Sequence, residues 1–517
     1  MFFRRNCLTS TALAASFMIG MSCVPARAES LSDAVASAYA KNPGLQAQRA
    51  SVRAADENYV QARAGYGLTI SAQAGATSYS VNRDGSKADA DTQSRSLSAS
   101  QPLYTGGRVR ARVSEAEAQI LAGREQLRRY EMDVILRVVS AYSGVQRDEQ
   151  LLKIAQETVA LLQRELNGTQ AKFDVRTVTM TDLAQSRARL AQAKTQLISV
   201  QEQLAASRGQ YLEVVGQNPG QLEPLPALEQ LPETVESAFD VAESSNPQLL
   251  TAQFNEQASR AAIARAKANA MPSVTARAEL QRTPYLPYQS KIYDDNRTAS
   301  IVFSQPIFSA GQIQSLIRQA VEANNRDQLV INDTRLQVVQ GVSQVWERLN
   351  SLRQQIETIE DEVAANQTAY LGVRAEERFA LRSNIEVLNA EAELNASQQN
   401  LARARAAEYV ARVQLLALIG TLTPQLLASD IKPYDPKTNF KRVKHSGMTP
   451  LDLPVIVLDA IGGIPVGKPR PAGHGEARPA GSEAQPTPLA PVNRPSVLEL
   501  IEKERAVQPA AAPSKSN

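Results

Sequence analysis

The sequence predicts an α+β protein, mainly α, in which two copies of one unit each join a pair of membrane-spanning strands to a very long helical hairpin. Three observations lead there. Motifs recur at a constant spacing, so the chain is a tandem duplication. Proline-free helical stretches run far longer than one globular core requires. Between the helices lie segments that alternate with period two and carry charge on their second face.

The first 28 residues read as an export leader. Arg4 and Arg5 precede a mostly apolar run from Leu8 to Met21, and Ala26-Arg27-Ala28 fits a small-x-small cleavage site. A membrane anchor is the alternative, but the run falls short of the roughly 20 residues a spanning helix needs. Lipidation at Cys23 is a second alternative, although Gly20-Met21-Ser22 lacks the usual aliphatic first residue. The leader holds both cysteines, Cys7 and Cys23, and three of the 56 basic residues, Arg4, Arg5 and Arg27, so 53 basic face 53 acidic residues in the rest. A neutral chain lacks the basic footprint of nucleic-acid binding. Without cysteine it holds neither disulfides nor thiolate metal sites.

The repeat begins at Asn42-Pro43, which recurs as Asn246-Pro247, an offset of 246 − 42 = 204. The same offset aligns Gln101-Pro102-Leu103-Tyr104 with Gln305-Pro306-Ile307-Phe308, Gly107 with Gly311, Tyr142 with Trp346 and Gly216 with Gly420. Phe173 and Arg176 match Phe379 and Arg382 at 206, and Asp182 matches Glu386 at 204, which predicts two extra residues in one turn of the first copy. Boundaries follow: 29–220 and 221–430 for the two units, 431–517 for a tail.

Each unit opens with a helical stretch, about 31–64 and 233–270, rich in Ala, Gln and Arg. Next come the alternating segments. Leu68, Ile70, Ala72, Ala74 and Ala76 oppose Thr69, Ser71, Gln73 and Thr77; in the second unit Val274, Ala276, Ala278 and Leu280 oppose Thr275, Arg277, Glu279 and Gln281. Polar stretches 82–91 and 285–296 are expected to be long hairpin loops. Half-buried soluble sheets alternate too, but a dry core rejects Arg277 and Glu279 whereas a wet lumen accepts them. Four strands cannot close a barrel, and an open edge is not tolerated in lipid, so strands that span a membrane require two, three or four chains together. Pro102 and Pro306 lack an N–H and are expected to end their strands in a bend toward the helices.

The stretch from about 107 to 167 has no proline and would span roughly 90 Å as a helix of ~60 residues. Val134, Val138, Val145, Leu152 and Val159 recur at helical spacing. Such a helix fits a coiled-coil rod or the wall of a tube, and the pattern alone leaves both open. A second helix follows a break near 173–182, or 379–386, and ends at Gly216 or Gly420 as an ordinary C-cap.

In this order, the duplicated plan, the Asn-Pro pairs and Gln-Pro-Leu-Tyr-Thr-Gly-Gly/Gln-Pro-Ile-Phe-Ser-Ala-Gly resemble the TolC outer-membrane efflux and export channels, over about residues 31–428. The turn Lys172-Phe173-Asp174-Val175 followed by Thr181-Asp182-Leu183 adds to the match. The resemblance implies a homotrimer in outer-membrane lipid. Four strands per chain would form a twelve-stranded transmembrane β-barrel, continued by a long periplasmic α-helical barrel. It implies an exit duct for a tripartite efflux pump or type I secretion system, with a periplasmic adaptor (membrane fusion) protein and an inner-membrane transporter as partners. The other reading is a soluble periplasmic coiled-coil adaptor or scaffold without a pore.

The resemblance also assigns roles at the tips. Asp182, Glu386 and Asn389 fall at the periplasmic entrance, where Asn389 replaces a second acid of the family. Phe173, Arg176, Phe379 and Arg382 fall at the adaptor contact, the arginines standing where the family usually has Gly. Independently of any gate, Ser383-x-x-Glu386 is a capping box and Thr179-x-x-Asp182 resembles one.

The tail holds 14 of the 27 prolines and both histidines, His445 and His474. It is expected to be largely disordered, with Lys437, Lys441, Arg442 and Lys444 as a solvated linker and 496–505 as a short helix. Gly462-x-x-x-x-Gly467-Lys468 imitates a phosphate loop, but Pro469 replaces the hydroxyl residue such a loop needs. With no histidine in the duplicated region and no nucleophile elbow, no enzyme activity, cofactor or metal is expected.

Overall fold

The structure, a computed structural model, describes residues 28–228, 231–286, 291–379 and 381–466. The expected cleavage site up to Arg27, the Gly467-Lys468 pair, the Pro-rich stretch and the helix at 496–505 lie outside the described residues.

Each opening helical stretch is two helices rather than one. In the first unit these are α1, Leu31–Lys41, and α2, Pro43–Arg63. Proline disfavours the α conformation at the residue before it, and Asn42 leaves the helix, its side chain accepting from Leu45 N at 3.0 Å. A 3₁₀ turn, Ala64–Tyr66, leads to β1, Thr69–Arg83, and β2, Ser86–Tyr104. The long hairpin is α3, Arg108–Asp174, and α4, Met180–Val215.

The second unit repeats this: α5, Val235–Ser245, and α6, Pro247–Ala268, broken at Asn246; β3, Ser273–Pro284, and β4, Tyr293–Ser304; then α7, Gln312–Arg378, and α8, Asn384–Ile419. Both long helices have 67 residues, about 100 Å at 1.5 Å per residue. Gly216 and Gly420 end the hairpins at φ 84° and 82°, the left-handed cap the sequence calls for.

Three expectations change here. The loop at 82–91 is instead paired strand: Asn82 faces Lys87 and Ser78 faces Asp91, joined by a two-residue turn at Asp84 (φ 50°) and Gly85 (φ 81°). Asp-Gly suits a turn in which both residues have positive φ. Similarly, β4 starts at Tyr293, so the second loop is shorter than 285–296. Pro102 does not end β2; the strand runs two residues further through a register shift between Pro102 and Tyr104, which absorbs the missing donor. Pro306 lies two residues beyond β4.

At the tips no insertion exists. α3 and α7 end 204 residues apart (378 − 174) and α4 and α8 start 204 apart (384 − 180), so Phe379 corresponds to Val175 and Arg382 to Val178. The Phe-to-Phe and Arg-to-Arg matches at 206 are coincidences of residue type.

The four strands form one antiparallel sheet in the order β1-β2-β3-β4. The main core lies where α1, α3, α4, α5, α7 and α8 meet, around fully buried Tyr142, Tyr211 and Leu415. The start of the tail is folded, against expectation. After α9, Pro424–Leu427, come α10, Lys437–Val443, and α11, Asp452–Gly462. α10 packs Phe440 on Tyr59 (ring centroids 5.1 Å) and donates from Asn439 to Asp56 at 2.9 Å. The cationic stretch 437–444 is therefore anchored on α2 and not a free linker.

Candidate functional site: the strand wall and the helical tips

The sheet is two-faced. Leu97 pairs with Ala72 on one side and Leu280 on the other; Ala278 pairs with Ala99 and Ala299, and Ala276 with Ile301. This apolar face is bare: Ile70 is 66% exposed, Ile301 73% and Phe303 66%. The opposite face carries Ser71 and Ser98, hydroxyls 2.7 Å apart, then Glu279 opposite Ser98 and Thr298, and Arg277 opposite Ser100 and Ser300. A soluble sheet buries its apolar face and wets its polar one. Here the apolar face has no protein cover among the described residues, which suits lipid.

At the other end of the long helices, the first tip closes with Thr177 N donating to Lys172 O and Arg176 N to Phe173 O, both 2.9 Å. Arg176 has φ 64°, the conformation glycine adopts without strain, so the position wants a glycine that this chain lacks. Asp182 caps α4: its carboxylate accepts from Thr179 N at 2.9 Å, and its own N–H donates to Thr179 Oγ1 at 3.2 Å. The bonds the carboxylate accepts, from Thr179 N first and then from the Thr179 hydroxyl, hold it below the ordinary range.

Glu386 likewise accepts from Ser383 N at 2.8 Å and from Ser383 Oγ at 2.9 Å, while Arg382 Nη1 donates to its other oxygen at 3.0 Å. Ser383 first, then Arg382, pull its pKa down to about 2. Asn389 accepts from Arg189 Nη2 at 3.0 Å. Asn384 Nδ2 reaches Thr169 and Ser186, and Lys172 Nζ lies 2.5 Å from Glu377 Oε1, so the two tips of one chain are fastened together.

Of the residues singled out for the tips, Asp182 and Glu386 fall in the first turns of α4 and α8, and Asn389 falls in the second turn of α8. Phe173 is half-buried inside the last turn of α3, whereas Phe379 is 79% exposed. Exposed Val175 (70%), Met180 (58%) and Leu381 (74%) join Phe379, an apolar surface that sequence reasoning missed. The missed signal was the 204 register, which places Val175 opposite Phe379. Also missed was Glu391, 4% exposed beside a cavity of about 290 Å³ lined by Leu162, Gln196 and Leu388. Burial, and then the charge of Glu165, push its pKa up to about 7.

A wall with an apolar outer face and a charged inner face, continued by helices about 100 Å long, defines an outer-membrane duct with a periplasmic extension. The chain belongs to the outer membrane efflux protein family, whose profile matches residues 34–217 and 238–421, two stretches again 204 apart (238 − 34). It is 28% identical over 423 residues to the outer membrane efflux protein BepC of Brucella suis, covering 81% of this chain and 91% of that protein. It is 25% identical over 425 residues to the outer membrane protein TolC of Escherichia coli, covering 77% and 84%. In fold it is similar to the outer membrane protein VceC of Vibrio cholerae, with a TM-score of 0.64 at 18% identity over 75% of this chain and 96% of that one. The protein is an outer-membrane exit duct for efflux or type I secretion, its helical part in the periplasm. The soluble-scaffold alternative is left without support.

Proposed function

We propose that three copies of this chain close one tube. Four strands from each would complete a twelve-stranded barrel, and the long helices of all three would continue it across the periplasm. The observation that supports this reading best is the unfinished state of the single chain. β1 and β4 each lack a partner on their outer side among the described residues, and an unpaired edge in lipid is prohibitively costly. Joining β4 of one copy to β1 of the next removes every edge.

In this reading the first 28 residues direct export, and Asp182, Glu386 and Asn389 of each copy line the periplasmic entrance. Carboxylates repeated about an axis repel one another and attract cations. The bonds from Thr179, Ser383 and Arg382 keep them charged and in place. Val175, Met180, Phe379 and Leu381, with Arg176 and Arg382 beside them, offer the surface for a periplasmic adaptor. The adaptor links the duct to an inner-membrane transporter that supplies the energy. The protein itself works as a passage and not as an enzyme; its cargo is a small compound or an unfolded polypeptide.

Reconstitution of the purified protein in a planar bilayer tests this. Discrete, cation-selective conductance is expected; absence of conductance from a water-soluble monomer would overturn the proposal. Glu386→Gln should weaken block by divalent cations, and unchanged currents would leave Glu386 as a helix cap alone.

A further inference from the structure

We propose that α11 is an interfacial helix. It would lie in the periplasmic-side leaflet at the foot of the barrel, its outward face among lipid headgroups and upper acyl chains. This goes beyond the duct itself and concerns a segment past residue 421, where the family match ends.

The helix is sharply two-sided. Asp452, Val455 and Asp459 are buried, with Val455 packed against Tyr66 and Val109. On the other side Leu453, Val457 and Leu458 are 55, 55 and 50% exposed, and Ile461 is 80% exposed. Four large apolar side chains on eleven residues, uncovered by any described part of the chain, are far more than scattered surface leucines. The helix is too short to span a membrane and the right kind to lie on one.

Its position identifies the occupant. The Asp459 carboxylate accepts from Thr105 N at 2.7 Å and from the Thr105 hydroxyl, and Tyr104 donates its hydroxyl to Gly462 O at 2.6 Å. A Cβ on Gly463 would lie 2.8 Å from Gly107 Cα, so the backbones touch and neither residue can be larger. These anchors hold α11 against the end of β2. There Tyr104 pairs with Val274, which shares the apolar face of β3 with Ala276, Ala278 and Leu280. The apolar surface of α11 therefore continues the lipid-facing surface of the barrel at its periplasmic rim. The exposed cations Lys437, Lys441 and Arg442 just upstream add charge that suits anionic headgroups.

The test uses single cysteines in a full chain carrying Cys7→Ala and Cys23→Ala. Val457→Cys or Ile461→Cys is labelled with an environment-sensitive fluorophore. The protein is then reconstituted in phosphatidylethanolamine–phosphatidylglycerol vesicles containing a phospholipid spin-labelled near its headgroup. Loss of most of the fluorescence is expected at both sites. Ile301→Cys, on the strand wall, is the control: quenching there without quenching on α11 overturns the proposal, as does burial of α11 against a second copy of the chain. No quenching at any of the three sites overturns the membrane reading of the strands and the proposal with it. Photolabelling of the unsubstituted protein by an acyl-chain diazirine phospholipid gives a reading free of any variant. Adducts on the peptide 451–462 are expected, and adducts confined to strand peptides overturn the proposal.

Discussion

The two units share one plan and one length, yet the single chain treats them differently. α3 buries 22 of its 67 residues; α7, equally long, buries 7. Leu329, Leu336 and Leu371 of α7 are 68, 69 and 54% exposed. The junction after β2 is covered, with Thr105 at 5% exposure beneath α11, while its counterpart after β4 leaves Ile307 at 95% and Phe308 at 88%. α3 is flanked by α2, α4, α6 and α8, whereas α7 lies at the edge of the chain. Duplication supplies two equal walls, and only one of them finds both neighbours within the chain. In the proposed trimer the second wall would find its missing neighbour in another copy.

The largest effect expected from breaking this comparison is in the packed unit. Tyr142 is fully buried, its hydroxyl within reach of the Glu29 and Glu223 carbonyls at 2.9 and 2.7 Å. Tyr142→Ala should cost about 3–5 kcal/mol in denaturant unfolding. Its counterpart Trp346 is only half-buried, so Trp346→Ala should cost about half as much. Equal losses would show that assembly packs the two units alike. Next, Asp459→Ala removes a buried carboxylate that holds Thr105 and should free α11 at a local cost of about 2–3 kcal/mol. Hydrogen exchange over 437–466 should then accelerate, with the second unit unchanged.

Glu391 lies on α8 and has no acidic counterpart in α4, where position 187 is Arg187. Its folded pKa of about 7 lies above the ordinary 4.5, so the native state holds the extra proton between those values. Stability therefore falls as pH rises through that window. Glu391→Gln should flatten this slope and stabilise the protein by about 1–3 kcal/mol at neutral pH, read from unfolding at several pH values. A steeper or unchanged slope would contradict the assignment. The smallest effect is at the first tip: Arg176→Gly relieves a positive φ and should stabilise by about 0.5–1 kcal/mol.

Much of the architecture was legible because it is periodic. Val134, Val138 and Val145 mark the buried stripe of α3, and Ala276 and Ala278 against Arg277 mark the faces of β3. The break at Asn42-Pro43 is legible as chemistry, although the helical composition on both sides hid it. The rest escaped for other reasons. In the hairpin at 82–91 the polar composition masked the strand, although Lys87, Asp89 and Asp91 alternate with Ala88 and Ala90 and the pairing continues to the turn. At the tips, the shared Phe and Arg outweighed the count of residues, yet the geometry follows where each helix ends. α11 carries Pro454 in its first turn, where proline is tolerated, and lies in a Pro-rich stretch whose composition resembles a linker. At the site, the capping roles of Asp182 and Glu386 follow from spacing alone. Burial of Glu391 depends on which face of α8 meets α3 and α4, and one chain's sequence does not carry that.

The central claim is that one chain is an incomplete part of a closed tube. Native mass spectrometry of the detergent-extracted protein tests it most directly. The account predicts one dominant species of three chains that survives removal of most of the detergent. A stable monomer, or a species of any other number of chains, would contradict it.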